Sequence, residues 1–257
     1  MIRRPSSINT YPSDLWMYKN GSGAIVRNQV DARTRPLPQA AVRDVFVLGG
    51  TGYIGQAMIK ALLKRGHRVR ALVRPGSEHK LPAGGTATIG DALDANSFVD
   101  AIAPADTVVH LVGVSRPNPS KAKQFEAIDL ASVHASLRGA RMAGVRHFVY
   151  VSVAQPAPVM HAFLAVRAEA ERLVRASGIA ATILRPWYVL GPGHWWPYAL
   201  LPLYWLLEQM PSTRASAQRL GLVRIEQMTA ALVQAIEGPA RRGARVVETP
   251  AIRNASR

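Results

Sequence analysis

Apolar and polar positions settle into regular periods from Asp44 onward. Val45-Phe46-Val47-Leu48 is a continuous apolar run, the pattern of a strand buried on both faces of a parallel sheet. A glycine turn follows. Ile54, Met58 and Leu62 then recur at i, i+4 and i+8, which predicts an amphipathic helix. Residues 69–73 read as a second strand and 87–89 as a short third. A helix is expected over 94–102 with Asp94 as its N-cap. A fourth strand at 107–112 precedes a long helix over 121–143, stopped by Gly144. A fifth strand at 148–151, a helix over 161–177 closed by Gly178, and a sixth strand at 181–184 complete the series. Alternation of this kind requires right-handed crossovers. It predicts a doubly wound α/β fold of Rossmann type: an open parallel sheet with helices on both faces.

Residues 1–42 follow no such period. They hold Pro5, Pro12, Pro36 and Pro38, with six bases against Asp14 and Asp31. The segment reads as a disordered extension or as sequence ahead of the true start, and organellar targeting is not expected of it. Residues 43–257 are then one domain, with an aromatic cap segment over 187–224. The longest stretch without a formal charge, 186–207, is broken by Pro186, Pro192, Pro197 and Pro202, so no continuous membrane span is expected. A cytoplasmic protein, peripheral to a membrane at most, is the expectation.

Charge narrows the partners. The 257 residues carry 32 Lys+Arg against 16 Asp+Glu, a net charge of +16. A phosphate-bearing ligand or an anionic surface is favoured over a basic partner, unless the Arg excess is only a solvated surface. No helix-turn-helix pattern, zinc spacing or aromatic-basic strand signature accompanies it, so specific nucleic-acid binding is not expected. The absence of Cys excludes disulfides, thiolate catalysis and Cys-ligated zinc, and no metal site is expected.

The chemistry is concentrated in Gly49-Gly50-Thr51-Gly52-Tyr53-Ile54-Gly55. Glycines at three-residue spacing permit a tight turn, a backbone approach to pyrophosphate, and close helix–strand packing. The helix N-terminus then offers its N–H groups to phosphate. A dinucleotide is the expected ligand. Where an NAD-binding chain usually places Asp or Glu after the second strand, this one has Val73-Arg74-Pro75. Arg74 suits a 2′-phosphate, which favours NADP(H) over NAD(H).

These residues resemble the atypical short-chain dehydrogenase/reductase superfamily. The resemblance covers 43–253 and is carried by the glycine turn, Gly90-Asp91-Ala92-Leu93-Asp94, His110-Leu111-Val112-Gly113, Gly144-Val145, Val151-Ser152 and Ile183-Leu184-Arg185-Pro186. From Gly191-Pro192-Gly193-His194 onward it looks like the branch containing NmrA-like proteins and the nucleotide-binding complex I subunit. The resemblance implies that Gly49, Thr51, Gly52, Tyr53, Ile54 and Gly55 line the pyrophosphate. It implies Arg74 at the 2′-phosphate, Asp91 and Ala92 beside the adenine, and Leu111, Val112 and Gly113 under the cofactor. Val151 and Ser152 would approach the nicotinamide, with Pro186 and Trp187 covering it.

Catalytic members carry Tyr-x-x-x-Lys on the helix after the fifth strand. Here Phe163 and Arg167 stand at those positions. Phenylalanine has no proton to give, whereas Arg167 keeps a charge able to hold the ribose. His161 falls about 200° away on the helix. Ser152, Tyr188 and His194 are the remaining weak candidates for a relocated acid, although Ser152 fits a local hydrogen bond better.

Seven aromatic residues fall between Trp187 and Trp205. They form a hydrophobic cap over the sheet edge, a wall for an apolar small molecule, or a surface resting on an anionic bilayer. A short helix is expected over 202–210. Two functions follow. One is an NADP(H)-binding sensor, assembly or structural component that meets a protein partner. The other is an NADPH-dependent oxidoreductase or isomerase/epimerase acting on a quinone- or isoprenoid-like substrate.

Overall fold

The computed structural model describes residues 17–19, 25–27, 41–115, 117–193 and 201–255. The chain divides into two units, Met1–Ala40 and Ala41–Arg257. In the first, β1 (Met17–Lys19) and β2 (Ile25–Arg27) pair antiparallel, with Tyr18 opposite Val26.

The second unit begins with the apolar run, which forms β3 (Asp44–Leu48). There follow α1 (Tyr53–Lys64), β4 (Arg68–Val73), β5 (Thr86–Ile89), α2 (Val99–Ile102) and β6 (Thr107–His110). Next come α3 (Ala122–Gln124), α4 (Ala131–Met142), β7 (His147–Val151), α5 (His161–Ala176) and β8 (Ala180–Arg185). The last part contains β9 (Tyr188–Leu190), α6 (Leu201–Gln209), α7 (Pro211–Arg219), β10 (Leu222–Arg224), α8 (Ile225–Glu237), β11 (Ala244–Glu248) and α9 (Thr249–Asn254).

Seven strands form one parallel sheet in the order β11-β8-β7-β6-β3-β4-β5. Val47 of β3 lies between Ala71 of β4 and Val109 of β6. The chain leaves β3 towards β4 on one side and returns to β6 on the other. That reversal opens a crevice at the carboxyl ends of β3 and β6, where ligands bind in open α/β sheets. One apolar core, with Phe46, Phe98, Phe148 and Val174, fills the face covered by α2, α4 and α5. The other, with Val47, Met58, Leu62, Met228 and Leu232, lies under α1 and α8. The doubly wound expectation is borne out.

Three elements differ from the pattern reading. The helix expected over 94–102 is a 3₁₀ turn, Ala95–Ser97, followed by α2; Asp94 does cap it, accepting from Asn96 N–H at 3.0 Å. The helix expected over 121–143 is α3, a π-helical run at Phe125–Leu130, and α4. A seventh strand, β11, pairs in register with β8 at the sheet edge. The cap segment runs from β9 through α6 and α7 to β10, which pairs parallel with β9. Among the described residues, no helix is long and apolar enough to cross a membrane.

Candidate functional site

The glycine turn is forced into shape by its neighbours. Gly49 has φ +86°, and a Cβ there would lie 2.8 Å from the Leu111 carbonyl carbon. A Cβ on Gly55 would overlap the Gly49 carbonyl oxygen and sit 2.8 Å from Gly50 Cα. Any side chain at Gly55 would therefore push α1 off the turn. Gly52 N–H donates to Gly49 O at 3.1 Å, and Gly52 is the N-cap of α1. It supplies no side-chain cap, and the first turn of α1 holds no acid. The partial positive charge of the helix end is thus left for an anion, so these residues fit a pyrophosphate. Thr51 and Ile54 are half-buried beside it, and the Tyr53 hydroxyl lies against Gly191.

Loops from the neighbouring strands meet the turn along one edge. Leu111, Val112 and Gly113 directly follow β6, and Leu111 N–H donates to Leu48 O at 2.9 Å. Arg74 is exposed one residue beyond β4. Asp91 and Ala92 follow β5, which pairs with β4. The Asp91 carboxylate accepts from Leu93 N–H at 3.0 Å, and Ser97 Oγ accepts from Asp91 N–H at 2.9 Å, which fixes that loop. Val151 ends β7. Pro186 follows β8, buried, and its carbonyl accepts from Ala154 N–H at 2.9 Å. Trp187 is half-buried next to it.

The helix position that should carry the proton donor is built differently. Phe163 packs edge-on against Phe125 at 5.1 Å and covers the Arg167 guanidinium at 5.0 Å. Arg167 itself is only 8% exposed. One terminal nitrogen donates to Tyr150 Oη at 3.2 Å and Val151 O at 3.0 Å; the other donates to Asp129 Oδ2 at 3.1 Å. Its Nε is buried with no partner among the described residues. A Cβ on Gly113 would overlap the second terminal nitrogen, so the guanidinium lies directly behind the loop after β6. Burial opposes the Arg167 charge, but Tyr150 and Asp129 outweigh it and raise its pKa.

Asp129 is in the π-helical run and also accepts from Val114 N–H at 2.7 Å. Burial pushes its carboxyl up, with Arg167 and the Val114 N–H pulling against that. Tyr150 is fully buried, and burial raises its phenol, which makes it a poor proton donor at neutral pH. His110 lies on the far side of Tyr150, ring centroids 5.7 Å apart, between Ser136 at 3.1 Å and Ser132 at 3.4 Å. Burial first and Arg167 second lower its pKa to about 3, so it is neutral. Pattern reading missed Asp129 and Tyr150. The visible signal for Asp129 is an acid on the apolar stripe Phe125-x-x-x-Asp129-x-x-x-Val133.

The weak candidates are scattered. Ser152 is buried, and its hydroxyl helps to keep Glu171 ionised without reaching full hydrogen-bond geometry. Glu171 also binds Arg185 at 2.6 Å, and Arg185 reaches Glu248 of β11 at 2.9 Å. The Arg of the Leu-Arg-Pro motif therefore clamps α5 and two strands together. Tyr188 is half-buried in β9 opposite Leu222, and His161 is exposed at the start of α5. His194, with Trp195, Trp196 and Tyr198, lies outside the described residues. No group of three or more His, Asp or Glu able to hold a metal occurs among the described residues.

The NAD(P)H-binding family matches residues 49–192, from the glycine turn to just past β9. The chain is similar to a 3-diazoavenalumate denitrifying reductase of Streptomyces, 30% identical over 225 residues, spanning 76% of this chain and 73% of the relative. It is also similar to ceramide reductase of Caulobacter vibrioides, 28% identical over 194 residues, spanning 74% of this chain and 59% of the relative. Among solved structures, the Bordetella bronchiseptica enzyme WbmG in complex with NAD has a TM-score of 0.62 at 18% identity. It covers 84% of this chain and 75% of WbmG, a likeness of fold.

Proposed function

The chain belongs to the NAD(P)H-binding family, within the Rossmann superfamily that resembles the short-chain dehydrogenases and reductases, and from that premise we propose that it holds a nicotinamide dinucleotide without the tyrosine acid of the catalytic members. The pyrophosphate would lie on residues 49–55 at the open end of α1. Arg74 would meet a 2′-phosphate, favouring NADP(H), while Asp91 and Ala92 flank the adenine. Leu111, Val112 and Gly113 would lie beneath the cofactor, with Val151, Ser152 and Pro186 towards the nicotinamide. The bound cofactor supplies hydride. Of the chain's own residues, Phe163 excludes water from the back of the site, and Arg167 holds the loop after β6 from behind.

One observation carries this reading: the Phe163 ring lies on a guanidinium whose hydrogen bonds all run inward. Phe163 has no proton to give a carbonyl oxygen, and Arg167 directs its charge to the buried Tyr150 and Asp129, where burial still outweighs its pull on the phenol. The role that fits is a cofactor-responsive sensor, assembly or structural component of NmrA-like kind, meeting a protein partner. A second reading, NADPH-dependent reduction of an apolar substrate by a relocated acid, is favoured by the reductase names of both relatives.

Incubation of the protein with NADPH and a panel of quinones and aldehydes separates the two. No NADPH oxidation is expected from the parent. Phe163→Tyr with Arg167→Lys, which places phenol and ammonium four residues apart on one face, should gain reduction of a hydrophobic carbonyl compound. Turnover by the parent, slowed in the double variant, would sink the non-catalytic reading.

A further inference from the structure

At the amino ends of the strands, across the sheet from the glycine turn, a recess of about 340 Å³ opens between the starts of β6, β7 and β8 and the end of α8. Arg43, Arg146 and Arg242 line it, with Asp106, Thr107 and His147. The three arginines come from three separate connections: the approach to β3, the turn before β7 and the loop between α8 and β11. Asp106 is already engaged, its carboxylate accepting from Thr107 Oγ1 at 2.7 Å and from Asp44 N–H at 3.3 Å.

Arg43 is half satisfied. One terminal nitrogen donates to Glu237 O at 3.3 Å, but its Nε is buried with no partner among the described residues. Arg43 carries five N–H donors, and one backbone carbonyl leaves others able to meet an anion. Burial chiefly lowers His147, to about 4; Arg245 and Arg43 lower it further, and Asp106 pulls it the other way. Its ring is within 3.0 Å of Thr182 Oγ1, leaving the ring neutral among cations. The end of α8 contributes about half a negative charge, less than the two positive charges by which the lining arginines exceed Asp106.

We propose that this recess binds the phosphate group of a small phosphorylated molecule, at a site separate from the dinucleotide crevice. A phosphate monoester carries about −1.5 to −2 at neutral pH, which matches that surplus. Guanidinium forks suit its oxygens. A recess of this volume is of small-ligand size rather than a face for a macromolecule.

Calorimetric titration of the full chain with inorganic phosphate at constant ionic strength tests the site. Saturable binding is expected, weakened at least tenfold by Arg146→Glu or Arg242→Glu, both exposed positions. Arg138→Glu, an equal change of charge at an exposed position on α4, should leave it intact, and so should Gly52→Glu. No saturable binding, or equal weakening by Arg138→Glu, would overturn the proposal, the latter by showing only a diffuse field. Loss in Gly52→Glu would move the phosphate to the glycine turn and overturn it too. Recruitment of the protein to phosphatidic acid vesicles through Arg242 would assign the recess to a lipid headgroup instead.

Discussion

The two halves of the cofactor edge face in opposite directions. At the glycine turn, Gly52 is exposed, the helix end has no side-chain cap and no acid stands in its first turn. At Phe163 and Arg167, everything polar is turned inward, to Asp129, Tyr150 and Val151. The first arrangement leaves its donors open to a ligand; the second directs the terminal nitrogens of Arg167 to protein partners, with Nε alone left over among them. Binding and catalysis are thus separable in this fold, because different loops supply them and each is stabilised by its own contacts.

The inward half breaks most severely at Asp129. Asp129→Ala would leave Arg167 buried with its ionic partner gone, and loss of one partner of a buried pair costs about 3–5 kcal/mol. Chemical denaturation should show that drop, whereas an unchanged midpoint would mean that the pair contributes little. The outward half breaks at Gly52→Glu, which places bulk and like charge where the pyrophosphate would lie. Dinucleotide affinity should fall more than 100-fold by calorimetry, with the circular dichroism spectrum unchanged; retained affinity would make the turn merely structural.

The buried histidines give a smaller, pH-dependent effect. His110 at about 3 and His147 at about 4 are held below the ordinary 6.5, neutral in the folded chain. The unfolded chain takes up their protons first, so their contribution is present above pH 6.5 and lost as pH falls, towards about 4 for His147 and about 3 for His110. Each should cost on the order of 2 kcal/mol between pH 7 and 5. His147→Gln should flatten part of that slope in denaturation series; an unaltered slope would assign it to other groups. The smallest expected effect is at Arg74. Arg74→Glu should cut NADP affinity roughly tenfold while sparing NAD, through loss of a charge-assisted hydrogen bond. An unchanged NADP/NAD ratio would remove Arg74 from the site.

The outward half was legible in the sequence because its signal is local. An apolar run, three spaced glycines and an i, i+4, i+8 stripe lie within twenty residues of Asp44, and each constrains only its neighbours. The inward half is non-local. Arg167 was readable as a replaced lysine, but its partners come from the π-helical run and from β7, and only packing decides which way a long side chain turns. Beyond Leu184 the pattern yielded only the helix near 202–210. Strand β11 was missed because Ala244-Arg245-Val246-Val247-Glu248 keeps Arg245 exposed and Val246 only partly buried at a sheet edge, which blurs the alternation.

The contact between the Tyr53 hydroxyl and Gly191 ties two positions 138 residues apart into one unit of variation. A side chain at 191 would overlap that hydroxyl, the far end of the tyrosine, and press on Ile225 at 3.1 Å, so growth at 191 requires Tyr53 to turn or shorten. Drift in the segment after β9 is therefore coupled to the glycine turn in one direction: a smaller residue at 53 makes room for a methyl group at 191, and nothing at 191 has to change to admit it.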